Sequence, residues 1–488
     1  MRCWGISNAK RTMQNRERET VHGRTVKRVL WSWAVLACAF GVLRVAFVDS
    51  AAQSAKPNIV LIHADDLGWG DLGVYGQQKV RTPRLDRMAT QGTRFTQYYS
   101  GSTVCAPSRY ALMTGFHMGH AYIRGNGDFP IRPEDVTVAE VLKGAGYATG
   151  VIGKWGLGTV ETPGVPHRQG FDYAFGFLTH RHPHRQFTEY LYRNGERLGV
   201  DPKHFANDLM TGEALEFIDR NRTQPFFLYL AYTIPHAELR VPEDSLTEYR
   251  GKFSEEPFVN AKADAHPTDG YRSQPTPRAA FAAMITRMDR DVGRLLDHLR
   301  DRGLDERTAV FFTSDNGPHR EGGADPAFFN SSGGLRGIKR DLYEGGIRVP
   351  MIARWPGRVP AGKVSDHVWA HWDVLPTVAE IGGASAPAGI DGRSMLPAVV
   401  GKPAKSHDFL YWEFFERGFD QAVRMGDWKA VRHGADKPIE LYNLARDPAE
   451  QQDVAAKHPD VVQKIDAYLK TARTTSEIWP RATSPATR

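Results

Sequence analysis

The chain has 488 residues, 41% of them hydrophobic and 24% charged, with 63 Lys/Arg against 56 Asp/Glu and a net charge of +7. That length suits one large domain and a smaller one, and the ordinary composition excludes a repeat array, a coiled coil and a long disordered tract. The basic excess does not point to nucleic acid, because residues 1–54 hold nine Lys/Arg against three acids and so carry six of the seven net positive charges.

Those first 54 residues read as a secretory leader. Arg24, Lys27 and Arg28 precede an apolar run at 29–43, Arg44 ends it short of a membrane span, and Ser50-Ala51-Ala52 offers small residues for cleavage. The expectation is a periplasmic or secreted protein with no stable membrane association once the leader is cleaved.

Residues 58–64 are a continuous apolar run ending in Asp65-Asp66, which predicts a buried parallel strand feeding a polar loop. A short helix is expected over 83–92, and a longer one over 133–146 with a glycine stop. Strands follow at 147–152 and 225–232, then a long amphipathic helix over 278–302. A strand at 308–314 runs into Asp315-Asn316, followed by a strand at 349–355 and a helix at 373–381. This alternation predicts an α/β domain over 55–400 with a large, mostly parallel central sheet sandwiched by helices. Beyond it, strands at 408–414 and 422–432 and helical segments over 449–471 predict a small C-terminal α+β domain over 401–474. Residues 475–488, with proline and serine, read as a fraying tail. Ligands in such sheets sit beyond the carboxyl ends of the strands. Both acidic clusters, Asp65-Asp66 and Asp315-Asn316, fall at predicted strand ends.

Of three cysteines, Cys3 and Cys38 lie in the leader, leaving Cys105 with no partner for an internal disulfide. A lone thiol in an oxidising compartment is either buried as a small hydrophobe or put to chemical use. Its surroundings decide between the two. Cys105-Ala-Pro-Ser-Arg109-Tyr-Ala-Leu-Met-Thr114-Gly115 resembles the sulfatase signature Cys-x-Pro-Ser-Arg-x-x-x-x-Thr-Gly at every fixed position. The resemblance extends over about residues 58–470. It implies an alkaline-phosphatase-like fold and oxidation of Cys105 by a formylglycine-generating maturase to formylglycine (3-oxoalanine), whose hydrate attacks sulfur.

The resemblance also implies a metal site of Asp65, Asp66, Asp315 and Asn316 together with the residue at Cys105. Hard oxygen ligands suit Ca²⁺, or alternatively Mg²⁺. Arg109 matches the arginine that holds the formylglycine hydroxyl, Lys154 and Lys339 match sulfate-binding lysines, and His236 matches the histidine that protonates the leaving group. The chain departs from the family at Gly156, where the common pattern Gly-Lys-Trp-His-Leu-Gly has a histidine. His182 and His184 of the downstream stretch His180-Arg181-His182-Pro183-His184 are candidates to serve that space or, with Arg181, to contact the sugar. Aromatic residues over 171–192 are candidates for stacking on a sugar ring, or core. The expected activity is hydrolysis of a sulfate ester on a saccharide or an aryl group. The alternatives are a formylglycine-dependent phosphonate or phosphodiester hydrolase and an inactive glycan-binding relative.

Overall fold

The structure is a computed structural model that describes residues 56–266 and 270–481, so the leader reading lies outside the described residues. The strands of the main sheet are β1 (Asn58–Asp65), β2 (Thr93–Tyr99), β3 (Ala148–Lys154), β4 (Tyr173–Phe177), β5 (Tyr190–Arg193), β6 (Glu196–Gly199), β7 (Phe226–Pro235), β8 (Thr308–Ser314), β9 (Arg348–Arg354), β10 (Lys363–Ser365) and β11 (Trp369–Ala370). They run in the order β10-β2-β9-β8-β1-β7-β3-β4-β5-β6, with β11 also on β2. The centre, β8-β1-β7-β3-β4, is parallel, while β9 and the β5–β6 hairpin join antiparallel. The α/β reading therefore holds for the centre.

Strand β1 is buried over its whole length because helices cover both faces. Val60 and Ile62 pack on one side with Leu228, Leu230 and the helix Pro277–Asp301, through Ala280, Met284, Met288 and Val292. Ile59 and Leu61 pack on the other with Phe227, Tyr110, Leu375 and Val378. At roughly 1.5–3 kcal/mol for each large apolar side chain, these two layers dominate the stability of the domain.

Where the sequence reading and the structure differ, local chemistry explains it. The helix expected over 133–146 is confined to Val138–Gly144. Arg132 and Asp135 close a turn ahead of it, and Thr137 and Glu140 form a reciprocal capping box that sets its start. The strand expected over 422–432 is a hairpin of β13 (Asp420–Met425) and β14 (Trp428–His433). Gly426, at φ +58°, sits in the two-residue turn that reverses the chain. With β12 (Leu410–Phe414) and β15 (Glu440–Asn443) these strands form a four-stranded antiparallel sheet. Of the helical stretch expected over 449–471, the α-helix is Pro459–Leu469, started by proline at its first turn. The tail does not fray up to residue 481. Trp479 is buried against Phe129 and Phe415, and its indole donates to the Tyr122 carbonyl at 2.8 Å.

A buried ionic cluster links the antiparallel sheet to the main one. The Lys429 ammonium lies 3.3 Å from Glu344 and 3.1 Å from Glu450, all three side chains fully enclosed. Burial and the adjacent Glu344 push the Glu450 carboxyl up, and Lys429 opposes them. Glu344 keeps Tyr99 and Arg348 as partners, but removing the cation leaves the enclosed Glu450 carboxyl facing Glu344 with no cation of its own, so Lys429→Met is expected to cost about 3–5 kcal/mol. Chemical denaturation would register this as a fall in the unfolding midpoint. An unchanged midpoint would mean the cluster contributes nothing net.

Candidate active site

Four neighbouring parallel strands end at one edge of the sheet, and each delivers a polar group there. Strand β1 ends in Asp65 and leads to Asp66. β8 leads to Asp315 and Asn316, β3 ends in Lys154, and β7 leads to His236. Gly153 is required just before Lys154, because a Cβ at its φ of +116° would fall 1.8 Å from the Ala231 carbonyl oxygen of the adjoining β7. Asp66 has φ +66°, a left-handed value rare for a residue with a side chain. Its backbone N–H donates to Asp315 Oδ1 at 3.0 Å, which ties the two strand ends together.

The helix Cys105–Thr114 lies across this edge and is buried on every side. Two residues of its opening turns fasten it there. Ser108 accepts from Gly101 N and donates to the Asp315 carbonyl, while Arg109 donates from Nε (3.2 Å) and Nη2 (2.9 Å) to Asp315 Oδ2. Cys105 is thereby placed with Sγ 3.6 Å from Asp65 Oδ1. Burial pushes its thiol up, opposed by Lys154 and Lys339.

Two enclosed lysines face the carboxylates. Lys154 Nζ is 2.8 Å from Asp65 Oδ2 and Lys339 Nζ is 2.7 Å from Asp66 Oδ2. Burial works against both ammonium groups, but their acidic neighbours together outweigh it, led by Asp65 for Lys154 and by Asp66 for Lys339, and raise both above the ordinary lysine value. His236 Nε2 lies 3.4 Å from Asp66 Oδ2, and its Nδ1–H donates to the Ala237 carbonyl at 2.6 Å. Burial, then Lys339 and Lys154, hold its pKa well below the usual imidazole range.

The donor set fits a hard divalent cation. Ligand atoms of Asp65, Asp66, Cys105 and His236 all lie within 4.8 Å of one another. Asn316 Nδ2 donates to Asp66 Oδ1 (2.6 Å) and to the Gly317 carbonyl (2.9 Å), which leaves Asn316 Oδ1 buried and without a partner beside the carboxylates. A buried amide oxygen in that state is free to ligate a hard cation.

Cys105, His236 and Lys339 line a pocket of about 760 Å³ whose outer wall includes His180, Arg181, His182 and His184. The structure thus brings together every site residue expected from the sequence, with three distinctions among the histidines. His184 stacks on His236 at 4.5 Å between ring centres. His182 is bonded to Thr188 Oγ1 at 3.0 Å and packs on Tyr190 at 4.1 Å. The histidine beside Gly156 is His180, whose Cβ is 4.0 Å from where a Gly156 Cβ would stand, with Arg109 Cδ at 3.8 Å from the same point. Of the aromatic residues over 171–192, Phe171, Phe175 and Phe177 are core, whereas Tyr190 reaches the pocket.

Sequence reading missed His319, Glu321 and Tyr271. His319 stacks on the far side of His236 at 5.5 Å, and Tyr271 packs edge-on to it at 6.0 Å. Glu321 lies 3.7 Å from Lys339. His319 and Glu321 follow Asp315-Asn316 so closely that the stretch Asp315-Asn-Gly-Pro-His-Arg-Glu321 carried a readable signal. Tyr271 lies on a loop with none.

The family model for sulfatases matches residues 57–384, and that for the N-sulphoglucosamine sulphohydrolase C-terminal region matches residues 337–475. The chain is 30% identical over 500 aligned residues to the N-acetylgalactosamine-6-sulfatase of Canis lupus familiaris, covering 88% of each. It is 29% identical to the N-acetylgalactosamine-6-O-sulfatase of Bacteroides thetaiotaomicron, covering 87% of this chain and 95% of that protein. Among solved structures, Ps i-CgsB in complex with k-i-k-neocarrahexaose superposes with a TM-score of 0.74 at 28% identity, over 88% of this chain and 95% of that one.

Proposed function

The chain belongs to the sulfatase family, and on that premise we propose that it releases inorganic sulfate from a sulfated carbohydrate, with formylglycine derived from Cys105 as nucleophile and Ca²⁺, or Mg²⁺, as cofactor. The observation that carries this reading is that Cys105, Lys339 and His236 line one pocket, with Asp65, Asp66, Asp315 and Lys154 directly bonded to or beside them underneath. The carbohydrate assignment draws on the relatives that act on N-acetylgalactosamine sulfate and on the neighbour solved with a neocarrahexaose.

The chemistry supplied by the two groups is an alcohol nucleophile from hydrated formylglycine, and charge neutralisation of sulfate oxygens from the cation. Asp65, Asp66, Asp315 and Asn316 hold the cation together with the residue at 105. Arg109 orients the nucleophile end of the helix. Lys154 and Lys339 turn from their carboxylates towards the sulfate oxygens and stabilise the charge that builds there. His236, aimed by its Nδ1–H bond to the Ala237 carbonyl, presents Nε2 to the leaving oxygen; it takes up a proton at Nε2 when the sulfate's negative charge enters beside it, and gives that proton to the leaving oxygen. Arg181, His182 and His184 form the wall that contacts the sugar. The leader over residues 1–54 and the single cysteine beyond it support export to the periplasm or beyond, and a maturase is the partner that converts Cys105.

The test is co-expression with a formylglycine-generating enzyme, followed by sulfate release from sulfated mono- and oligosaccharides and from an aryl sulfate, with phosphate esters in parallel. Release from one sugar is expected. His236→Ala is expected to slow sugar sulfates by roughly 10²–10⁴-fold and the aryl sulfate far less, because a phenolate leaves without protonation. Formylglycine at residue 105, verified by peptide mass, with no sulfate released from anything would favour the phosphonate or phosphodiester reading, or a glycan binder.

A further inference from the structure

Beneath Arg109, in the apolar layer under the helix Cys105–Thr114, the chain buries two imidazoles. His63 follows Ile59 and Leu61 on the same face of β1, and His371 opens the turn before the helix Val374–Ile381. Both are fully enclosed. An apolar side chain would serve the packing of this layer, as it does at positions 59 and 61, whereas a buried imidazole costs free energy unless its nitrogens are paired.

Their bonds lead to the active site. His63 Nε2 lies 3.2 Å from His371 Nε2, and His63 Nδ1 lies 2.7 Å from the Tyr229 hydroxyl on β7. That hydroxyl receives a longer bond, 3.4 Å, from Arg109 Nη1. Arginine only donates, which sets the direction of the series. The Tyr229 oxygen accepts from Arg109, so its proton goes to His63 Nδ1, the only other polar partner it has. His63 then carries its proton on Nε2 and donates to His371 Nε2, and His371 carries its own on Nδ1. That last nitrogen lies by the Tyr99 carbonyl but outside hydrogen-bonding geometry. The reverse order would leave the Tyr229 proton without an acceptor and set a ring lone pair against a carbonyl.

The series completes the guanidinium. Arg109 Nε and one Nη2 proton bind Asp315, the other Nη2 proton faces Asp65 Oδ1 at 3.7 Å, and Nη1 donates to the Lys154 carbonyl at 2.8 Å and to Tyr229. We propose that Tyr229, His63 and His371 are positioning residues for the reaction: a one-way hydrogen-bond chain that fixes the rotation of the Arg109 guanidinium between Asp315, Asp65 and the Lys154 carbonyl. The proposal rests on the reading of Arg109 as the group that orients the nucleophile at residue 105.

The matured enzyme tests it. His63→Leu and Tyr229→Phe are each expected to lower kcat roughly tenfold with KM and melting temperature little changed. Their combination loses no more than the worse single change, because both break the same chain. His63→Gln, whose amide accepts from Tyr229 and donates to His371, recovers most of the rate. Wild-type kcat in His63→Leu and Tyr229→Phe, or losses that multiply in the double variant, would overturn the proposal. Nitrogen-15 histidine spectra separate this from failure of the sulfatase reading, since they need no substrate. His63 is expected as the Nε2–H tautomer and His371 as the Nδ1–H tautomer, with the His63 signals displaced in Tyr229→Phe. The opposite tautomers, or no response to Tyr229→Phe, sink the chain whatever the enzyme turns over.

Discussion

Cys105→Ala will lower sulfate release by at least about 10³-fold and leave the fold intact. The side chain lost is small and sits at the first position of a helix whose place is held by Ser108 and Arg109 rather than by residue 105. What disappears is the pocket-floor sulfur from which the proposed nucleophile is made, beside Asp65. Sulfate assay and thermal melting on the same preparation separate the two effects. Cys105→Ser sharpens the result. A serine hydroxyl can accept sulfate but has no second hydroxyl with which to expel it. One equivalent of stable sulfate ester, seen by intact mass, is therefore the expected end point. Multiple turnovers in Cys105→Ala would place the nucleophile elsewhere.

The second large effect is expected at Asp66. Its carboxylate faces Lys339 at 2.7 Å, His236 at 3.4 Å and Asn316 Nδ2 at 2.6 Å, so it is the point where the proposed cation ligands, one of the lysines proposed to bind sulfate and the histidine meet. Asp66→Asn keeps the size and removes one of three aspartate charges from the donor set. Calcium is expected to raise the melting temperature of the wild type, since a ligand at a thousand times its Kd adds about 4 kcal/mol of stability. Asp66→Asn is expected to lose that rise and to lose roughly 10²–10³-fold in kcat, the equivalent of several kcal/mol of charge stabilisation. An equal calcium response in both proteins would mean that the cation binds elsewhere. A chelator should reproduce the kcat loss in the wild type, with recovery on adding calcium back.

The two expectations differ in how far the sequence supported them. Cys105 is legible because six fixed positions lie within eleven residues, and the structure explains several of them: Ser108 and Arg109 bind the end of β8, and Gly115 ends the helix at φ +79°. The apolar run of β1 is legible because a strand covered on both faces has no polar alternation. The hairpin at Gly426-Asp427 was read through, because the apolar pattern continues on both sides of the turn and only the glycine marks the reversal. Tail docking by Trp479 was missed because its partners, Phe129 and the Tyr122 carbonyl, are some 350 positions away in sequence.

By itself the sequence determined the strand–helix alternation, the acids at two strand ends and the cysteine of the sulfatase signature, since each is written in contiguous residues. Tertiary structure alone decided that His180 stands beside Gly156, that His184 stacks on His236, and that His63 meets His371 across 308 positions of chain. The physical reason is that strand order, β8-β1-β7-β3, is a property of sheet packing. Periodicity tells a strand which face is apolar, but not which neighbour will supply the partner for the one polar residue on it.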